Sequence, residues 1–240
     1  MTKILKRICR LLLLILLVIL LTLLGQGYFR YRREIERKPM NQAVEEYTAR
    51  EEYAEFDQID EDFVHAVISV EDKRFFERKG YDFIALFRAL YHNLAAGKMV
   101  EGGSTISEQI VKNLYLDGVV DGLEDKMAEI FLMMDLEKNY SKEELFALYA
   151  NMNYYGDGNW GIRDAARSYY GLDCNDLSLG KAAILAGIPN APAIYQLSDG
   201  YDLAKKRQEW VLQTMLNNGY IDEIEMEEAL KEDVKPMKMQ

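Results

Sequence analysis

Two glutamates stand where a carboxylate is hard to solvate. Glu71 lies four residues beyond Val67 and eight beyond Phe63, on or beside the apolar stripe of a helix expected over residues 62–72. Glu129 interrupts Met127-Ala128-Glu129-Ile130-Phe131-Leu132-Met133-Met134, a segment apolar almost all round. A carboxylate drawn toward a core must be paired, hydrogen-bonded or shifted in pKa. Both glutamates are therefore candidates for acid/base catalysis. The alternative is structural: Glu129 can pair with Lys126, three residues earlier on the same helix. Other chemistries lack their residues. His65 and His92 stand alone and read as structural, Cys9 and Cys174 lie too far apart in character and place for a disulfide, and metal-ligand spacing is absent. There is no P-loop and no GxGxxG.

The elements that must position these residues read as helices. Prolines occur only at 39, 189, 192 and 236, so residues 40–188 run without one. Apolar periodicity and capping signals predict helices over 41–56 (polar and Glu-rich, an exposed stalk), 62–72, 82–96, 104–116, 123–138, 161–170, 177–186, 201–218 and 222–232. Another begins at Ser141, with Glu144 at the capping-box spacing. The 123–138 helix, apolar almost all round, is expected to be the central buried one. Alternating Val/Ile/Thr runs are scarce, so the fold class is mainly α.

The N-terminus is of another kind. From Leu11 to Leu24 the only polar residue is Thr22, and residues 8–29 form a 22-residue apolar span. At 1.5 Å per residue this reaches about 33 Å, enough to cross a bilayer core. A cleaved signal peptide is the competing reading, with a small-x-small site at Gly25-Gln26-Gly27. The expected organisation is a short tail at 1–7, an anchor at 8–29, a basic juxtamembrane segment and stalk at 30–58, and a body at 59–240. Of 29 Lys/Arg and 40 Asp/Glu, nine basic and two acidic residues fall within 1–38, leaving 20 and 38 for the rest, a balance of −18. So acidic a body makes a poor nucleic-acid binder, because phosphate contacts need clustered cations.

Five stretches in order carry a resemblance. Glu71-Asp72-Lys73-Arg74-Phe75-Phe76-Glu77-Arg78-Lys79-Gly80 resembles the ED-x-x-F-x-x-H-x-G signature of glycosyltransferase family 51, the peptidoglycan glycosyltransferases that polymerise lipid II. Gly102-Gly103-Ser104-Thr105-Ile106-Ser107-Glu108-Gln109, followed by Lys112-Asn113, is similar to that family's GGSTITQQ stretch. Asp125-Lys126-Met127-Ala128-Glu129 resembles its R-K-x-x-E, and residues 141–151, ending Tyr149-Ala150-Asn151, resemble its K-x-x-I-L-E-x-Y-L-N. Residues 161–171 resemble its G-x-x-x-A-A-x-x-Y-F-G. The resemblance covers roughly 60–230, and the length suggests a monofunctional member rather than a bifunctional penicillin-binding protein.

The resemblance implies a lysozyme-like helical fold with a smaller membrane-proximal lobe, preceded by one transmembrane helix. It implies a single-pass cell-membrane protein with a cytoplasmic N-terminus and an extracytoplasmic body. The implied reaction is inverting glycosyl transfer onto lipid II with release of undecaprenyl pyrophosphate. Glu71 matches the general base and Glu129 a second catalytic carboxylate. Lys112 and Lys126 match positions that neutralise the pyrophosphate, and Asp72, Phe75, Arg78, Gly103, Ser104, Thr105, Glu108, Gln109 and Asn113 match substrate-contacting positions. No cofactor is implied as required, with Mg2+ or Mn2+ as stimulants. The implied partners are lipid II, the growing glycan strand, the membrane and other cell-wall synthesis proteins.

Departures from the pattern are Arg78 for His, Ser107 for Thr, Glu108 for Gln, Asp125 for Arg and Ala147 for Glu. No basic residue occurs between Asn113 and Lys126; the acidic segment there reads either as an altered lid over the donor site or as a solvated loop. Carboxylates near a pyrophosphate should weaken donor binding. They keep open a second reading, a degenerate non-catalytic membrane-anchored partner of wall synthesis. A lysozyme-like muralytic enzyme is a third, but leaves GGST-x-x-x-Q and the two lysines without a role.

Overall fold

The structure, a computed structural model, describes residues 3–78 and 104–237. The helix expected over 82–96, His92 and the candidate Gly103 lie outside the described residues. The remainder is helical as expected, with one isolated bridge between Tyr154 and Trp160 and no strand among the described residues.

α1 (Lys3–Arg37) is one continuous 35-residue helix. Its Ile4–Arg37 stretch is long and apolar enough to cross a membrane, and Leu11 to Leu21 are all exposed along the body-free half. At 1.5 Å per residue the helix extends to about 52 Å, well past a bilayer core of about 30 Å. Its last turns therefore have other work. From Gly27 onward one face turns inward, and Gly27 and Glu34 are buried.

α2 (Met40–Thr48) follows directly. Here the expectation of an exposed stalk fails. Met40, Ala43 and Val44 enter the core, and so do Tyr53 and Ala54 beyond the helix. The Asn151 side chain accepts a hydrogen bond from the Ala54 N–H at 2.8 Å and donates to the Ala54 carbonyl at 2.8 Å. The Tyr115 hydroxyl donates to the Lys38 carbonyl at 3.0 Å. Three apolar residues among polar ones suffice to dock a nine-residue helix when its flanks are stapled this way.

The body is α3 (Glu61–Glu71), α4 (Ile106–Tyr115), α5 (Gly122–Asn139), α6 (Lys142–Met152), α7 (Ile162–Tyr170), α8 (Leu179–Gly187), the single turn α9 (Pro192–Tyr195), α10 (Tyr201–Asn218) and α11 (Glu223–Lys231). Local chemistry sets the boundaries. α4, α6 and α11 start on reciprocal capping boxes, Thr105 with Glu108, Ser141 with Glu144, and Asp222 with Glu225. α7 and α10 stop at Gly171 and Gly219, both left-handed, where a side chain would be strained. α3 packs against α8 and α10, and α4 lies between α5 and α6.

The central buried helix is α6, not α5. Leu145 through Met152 are buried without interruption, whereas Leu123 and Met134 of α5 are 63% and 53% exposed. α5 is apolar on several sides because it packs against α1 on one flank and α4 on another. Glu129 nonetheless lies on its buried side.

Candidate active site

α3 carries Glu71 to the helix end. Asp60 caps its start, accepting the Asp62 N–H at 2.9 Å, and Phe63, Ala66 and Val67 fix its inner face. Glu71 is thereby held at the last turn, largely buried, its carboxylate accepting a hydrogen bond from Gln109 Nε2 at 2.6 Å. Burial pushes the Glu71 carboxyl above the ordinary glutamate range. The Gln109 hydrogen bond and the charges of Arg207 and Lys112 oppose that shift. A carboxyl poised by opposing effects of this kind can exchange a proton with a bound hydroxyl.

Gln109 reaches Glu71 because α4 presents successive turns to it. Thr105 and Glu108 close the cap, and Gln109 and Lys112 follow at helical spacing. The Lys112 ammonium lies 3.4 Å from the Ser104 hydroxyl, at the start of the same helix. Thr105 is a cap rather than an open group: its hydroxyl accepts the Glu108 N–H at 3.2 Å and it is buried. Asn113 is exposed at the far end of α4, beside Gly118.

A second cluster joins α4 to α5. Lys126 Nζ lies 2.5 Å from Glu129 Oε2 and 3.2 Å from Glu108 Oε1. Both carboxylates are buried, and Glu129 Oε1 has no hydrogen-bond partner among the described residues. Burial raises the Glu129 carboxyl, Lys126 opposes this, and Glu108 adds to it. The ion pair expected as the structural alternative for Glu129 is thus formed, in a cluster that also contains two candidate binding residues.

A third group separates from these. Arg78 pairs with Asp72 at 2.8 Å and with Glu137 at 2.7 Å, and Lys142 reaches Glu137 at 3.0 Å. Ser107 donates to the same Glu137 oxygen at 2.5 Å. Phe75 is fully buried beneath the Lys142 ammonium, 4.6 Å from the ring centre. Burial opposes ionisation of Glu137, but Ser107, Arg78 and Lys142 outweigh it and hold the carboxyl below its ordinary range. Asp72, Phe75 and Arg78 are therefore internal. Among the described residues, Arg78 and Lys142 face Asp72 and Glu137 there, so the positive charge expected of Arg78 is directed at internal carboxylates. The network locks the turn that follows Glu71.

Asp125 also departs from expectation. Its carboxylate lies 3.4 Å from Arg30 Nε of α1 rather than on the Lys126 side of α5. Asp117, Asp121 and Glu124 are exposed, as a solvated acidic loop would be.

A family model described as Transglycosylase matches residues 36–216. The chain belongs to the transglycosylase family. It is 38% identical over 175 residues to penicillin-binding protein 1F of Bacillus subtilis, covering 73% of this chain and 24% of that one. It is 39% identical over 178 residues to penicillin-binding protein 1A of Aquifex aeolicus, covering 74% and 24%. Penicillin-binding protein 1A of Pseudomonas aeruginosa is 37% identical over 179 residues, covering 75% and 22%. The chain spans about a quarter of the length of these relatives.

Within the matched range one residue escaped the sequence reading. Arg207 of α10 sends its charge toward Glu71, its Nε is buried without a hydrogen-bond partner among the described residues, and its guanidinium stacks 4.0 Å from the Trp210 ring centre. Burial lowers its pKa while Glu71 and Tyr149 oppose the shift. The signal was available. Arg207 lies three residues after buried Ala204 and four before buried Val211, a cation on an apolar stripe. Among the described residues no group of three or more His, Cys, Asp or Glu side chains could hold a metal.

Proposed function

We propose that this protein polymerises lipid II into peptidoglycan glycan strands. The observation that carries the reading is the largely buried Glu71 carboxylate, held by Gln109 and faced by the charges of Arg207 and Lys112. The growing strand is the donor, linked through MurNAc C1 to undecaprenyl pyrophosphate, and the 4-hydroxyl of lipid II's GlcNAc is the acceptor. Glu71 takes the hydroxyl proton as O4 attacks C1 from the face opposite the pyrophosphate. The C1–O bond breaks, its electron pair leaves with the phosphate, and configuration inverts. A placed general base contributes on the order of 10²–10⁴ in rate. Lys112, Lys126 and the Ser104 hydroxyl meet the leaving pyrophosphate, where fixed cations stabilise developing charge. Glu129 acts on that side, by holding Lys126 in place. Gln109 keeps the Glu71 carboxylate aimed at the acceptor.

In this reading α1 anchors the chain with its N-terminus in the cytoplasm and the body outside, where both lipid-linked substrates are displayed. No cofactor is required. Mg2+ or Mn2+ stimulates by screening the carboxylates Glu108 and Glu129 from the diphosphate. Other cell-wall synthesis proteins are the expected partners. The test is incubation of the full chain with labelled lipid II, followed by muramidase digestion. A high-molecular-weight product that muramidase cuts to disaccharide-peptides is the expected result. Absence of polymer from well-folded protein would overturn the assignment.

A further inference from the structure

The flank of α5 opposite Glu108 is occupied by α1, and the contact is close. A Cβ on Gly27 would fall 2.2 Å from Met127 Cβ and 3.0 Å from the Met127 carbonyl carbon, so no side chain fits there unless the helices part. One turn on, Arg30 Nε lies 3.4 Å from Asp125 Oδ1. The same nitrogen lies 3.5 Å from Glu34, which Arg37 holds at 2.7 Å. The Tyr28 ring meets Phe131 edge-on at 5.6 Å, and the Tyr31 hydroxyl donates to Asp135 at 3.1 Å. These contacts grip α5 from residue 125 to residue 135. Lys126 and Glu129 lie within the gripped stretch and point the other way, onto Glu108.

A helix moves as a rod over this length. Lifting α1 by the width of one side chain, or turning α5 by one residue's 100°, would carry Lys126 away from Glu108. We propose that Gly27 and Arg30 of the anchor helix are positioning residues for transfer: α1 sets the depth and rotation of α5, and Lys126 and Glu129 are aligned only while α1 is seated. Asp125 then has a use as the acidic half of a lock to the anchor. The inference rests on the function proposed above for its kinetic readout, and a chemical readout separates the two.

The test uses the full chain in mixed lipid–detergent micelles. Gly27→Leu is compared with Gly25→Leu, a change on the same helix at a position with nothing within 4 Å of an added Cβ. Arg30→Asp and Asp125→Arg are made singly and together. Two quantities are read: kcat and KM on lipid II, and the rate at which an acylating reagent modifies Lys126, scored by mass spectrometry. Gly27→Leu and each single charge variant should lower kcat at least tenfold, with a smaller change in KM. They should also raise Lys126 acylation severalfold, with circular dichroism unchanged. Gly25→Leu should match the parent, and the charge-swapped double variant should recover to within about threefold. If Gly27→Leu behaves as Gly25→Leu in both readouts, or if the swap recovers nothing, the positioning role is wrong. If the parent protein makes no glycan yet Lys126 acylation follows this pattern, the coupling stands and the assigned reaction falls. Should Gly27→Leu fail to fold, Gly27→Ala and the charge swap decide by the same criteria.

Discussion

Replacing Glu108 with Gln isolates the effect of one charge on donor binding. Glu108 does two things. One carboxylate oxygen accepts the Thr105 N–H at 2.9 Å to close the α4 cap, and the other lies 3.2 Å from Lys126 Nζ. A glutamine keeps the first function, since its amide oxygen can accept the same N–H. Only the charge is lost, and the Lys126 ammonium keeps its pairing with Glu129. At an effective dielectric near 20, a carboxylate about 6 Å from a diphosphate charge opposes it by roughly 3 kcal/mol. Lys126 is a third exposed, so solvent screening cuts this, and about 1–2 kcal/mol remains. Glu108→Gln should therefore lower KM for lipid II by about 5- to 30-fold, because each 1.4 kcal/mol is a factor of ten. The gain should shrink as salt is raised. Added Mg2+ or Mn2+ should help the parent more than the variant. The assay is initial polymerisation rate against lipid II concentration at two ionic strengths, with and without divalent cation. An unchanged or higher KM under every condition, with the fold intact, would refute the premise that this carboxylate faces the donor. Pairing the change with Asp125→Arg is not expected to add to it, because an arginine at 125 would meet Arg30.

Glu71→Gln should reduce polymerisation at least 10²-fold while the protein stays folded, read as glycan formed per unit time. In the parent, rate should rise with pH through a value above the ordinary glutamate range, since only the ionised carboxyl accepts a proton and burial raises its pKa. The folded state binds this proton more tightly than the unfolded chain, so stability falls as pH rises through that window. Glu71→Gln should accordingly raise the melting temperature at neutral pH. Arg78→Leu should destabilise the body by about 3–5 kcal/mol in urea unfolding, because it strips a partner from the buried carboxylates Asp72 and Glu137. Protease added to intact spheroplasts should degrade the body, and full protection would reverse the proposed topology.

The sequence by itself determined the helices wherever their signals are local. A capping side chain and the donor it satisfies lie within three residues, and an apolar stripe repeats every turn, so Ser141 with Glu144 and the α3 stripe were legible before any folding. It also marked Glu71 and Glu129, because a carboxylate on an apolar helix face is conspicuous in one dimension. Tertiary structure decided what each charge does. Arg78 meets Glu137 across 59 residues, Arg30 meets Asp125 across 95, and the Arg207 charge reaches Glu71 from the other end of the body. These pairings give apparent departures such as Arg78 and Asp125 oppositely charged partners within the fold. Tertiary structure also made residues 40–54 part of the core rather than a stalk, through the Asn151 bonds and the packing of α2 against α6. The physical reason is one of range. Helix formation is governed by neighbours within four residues. The cost of burying a charge is offset only by whichever opposite charge packing brings within a few ångströms, and sequence separation does not encode that distance.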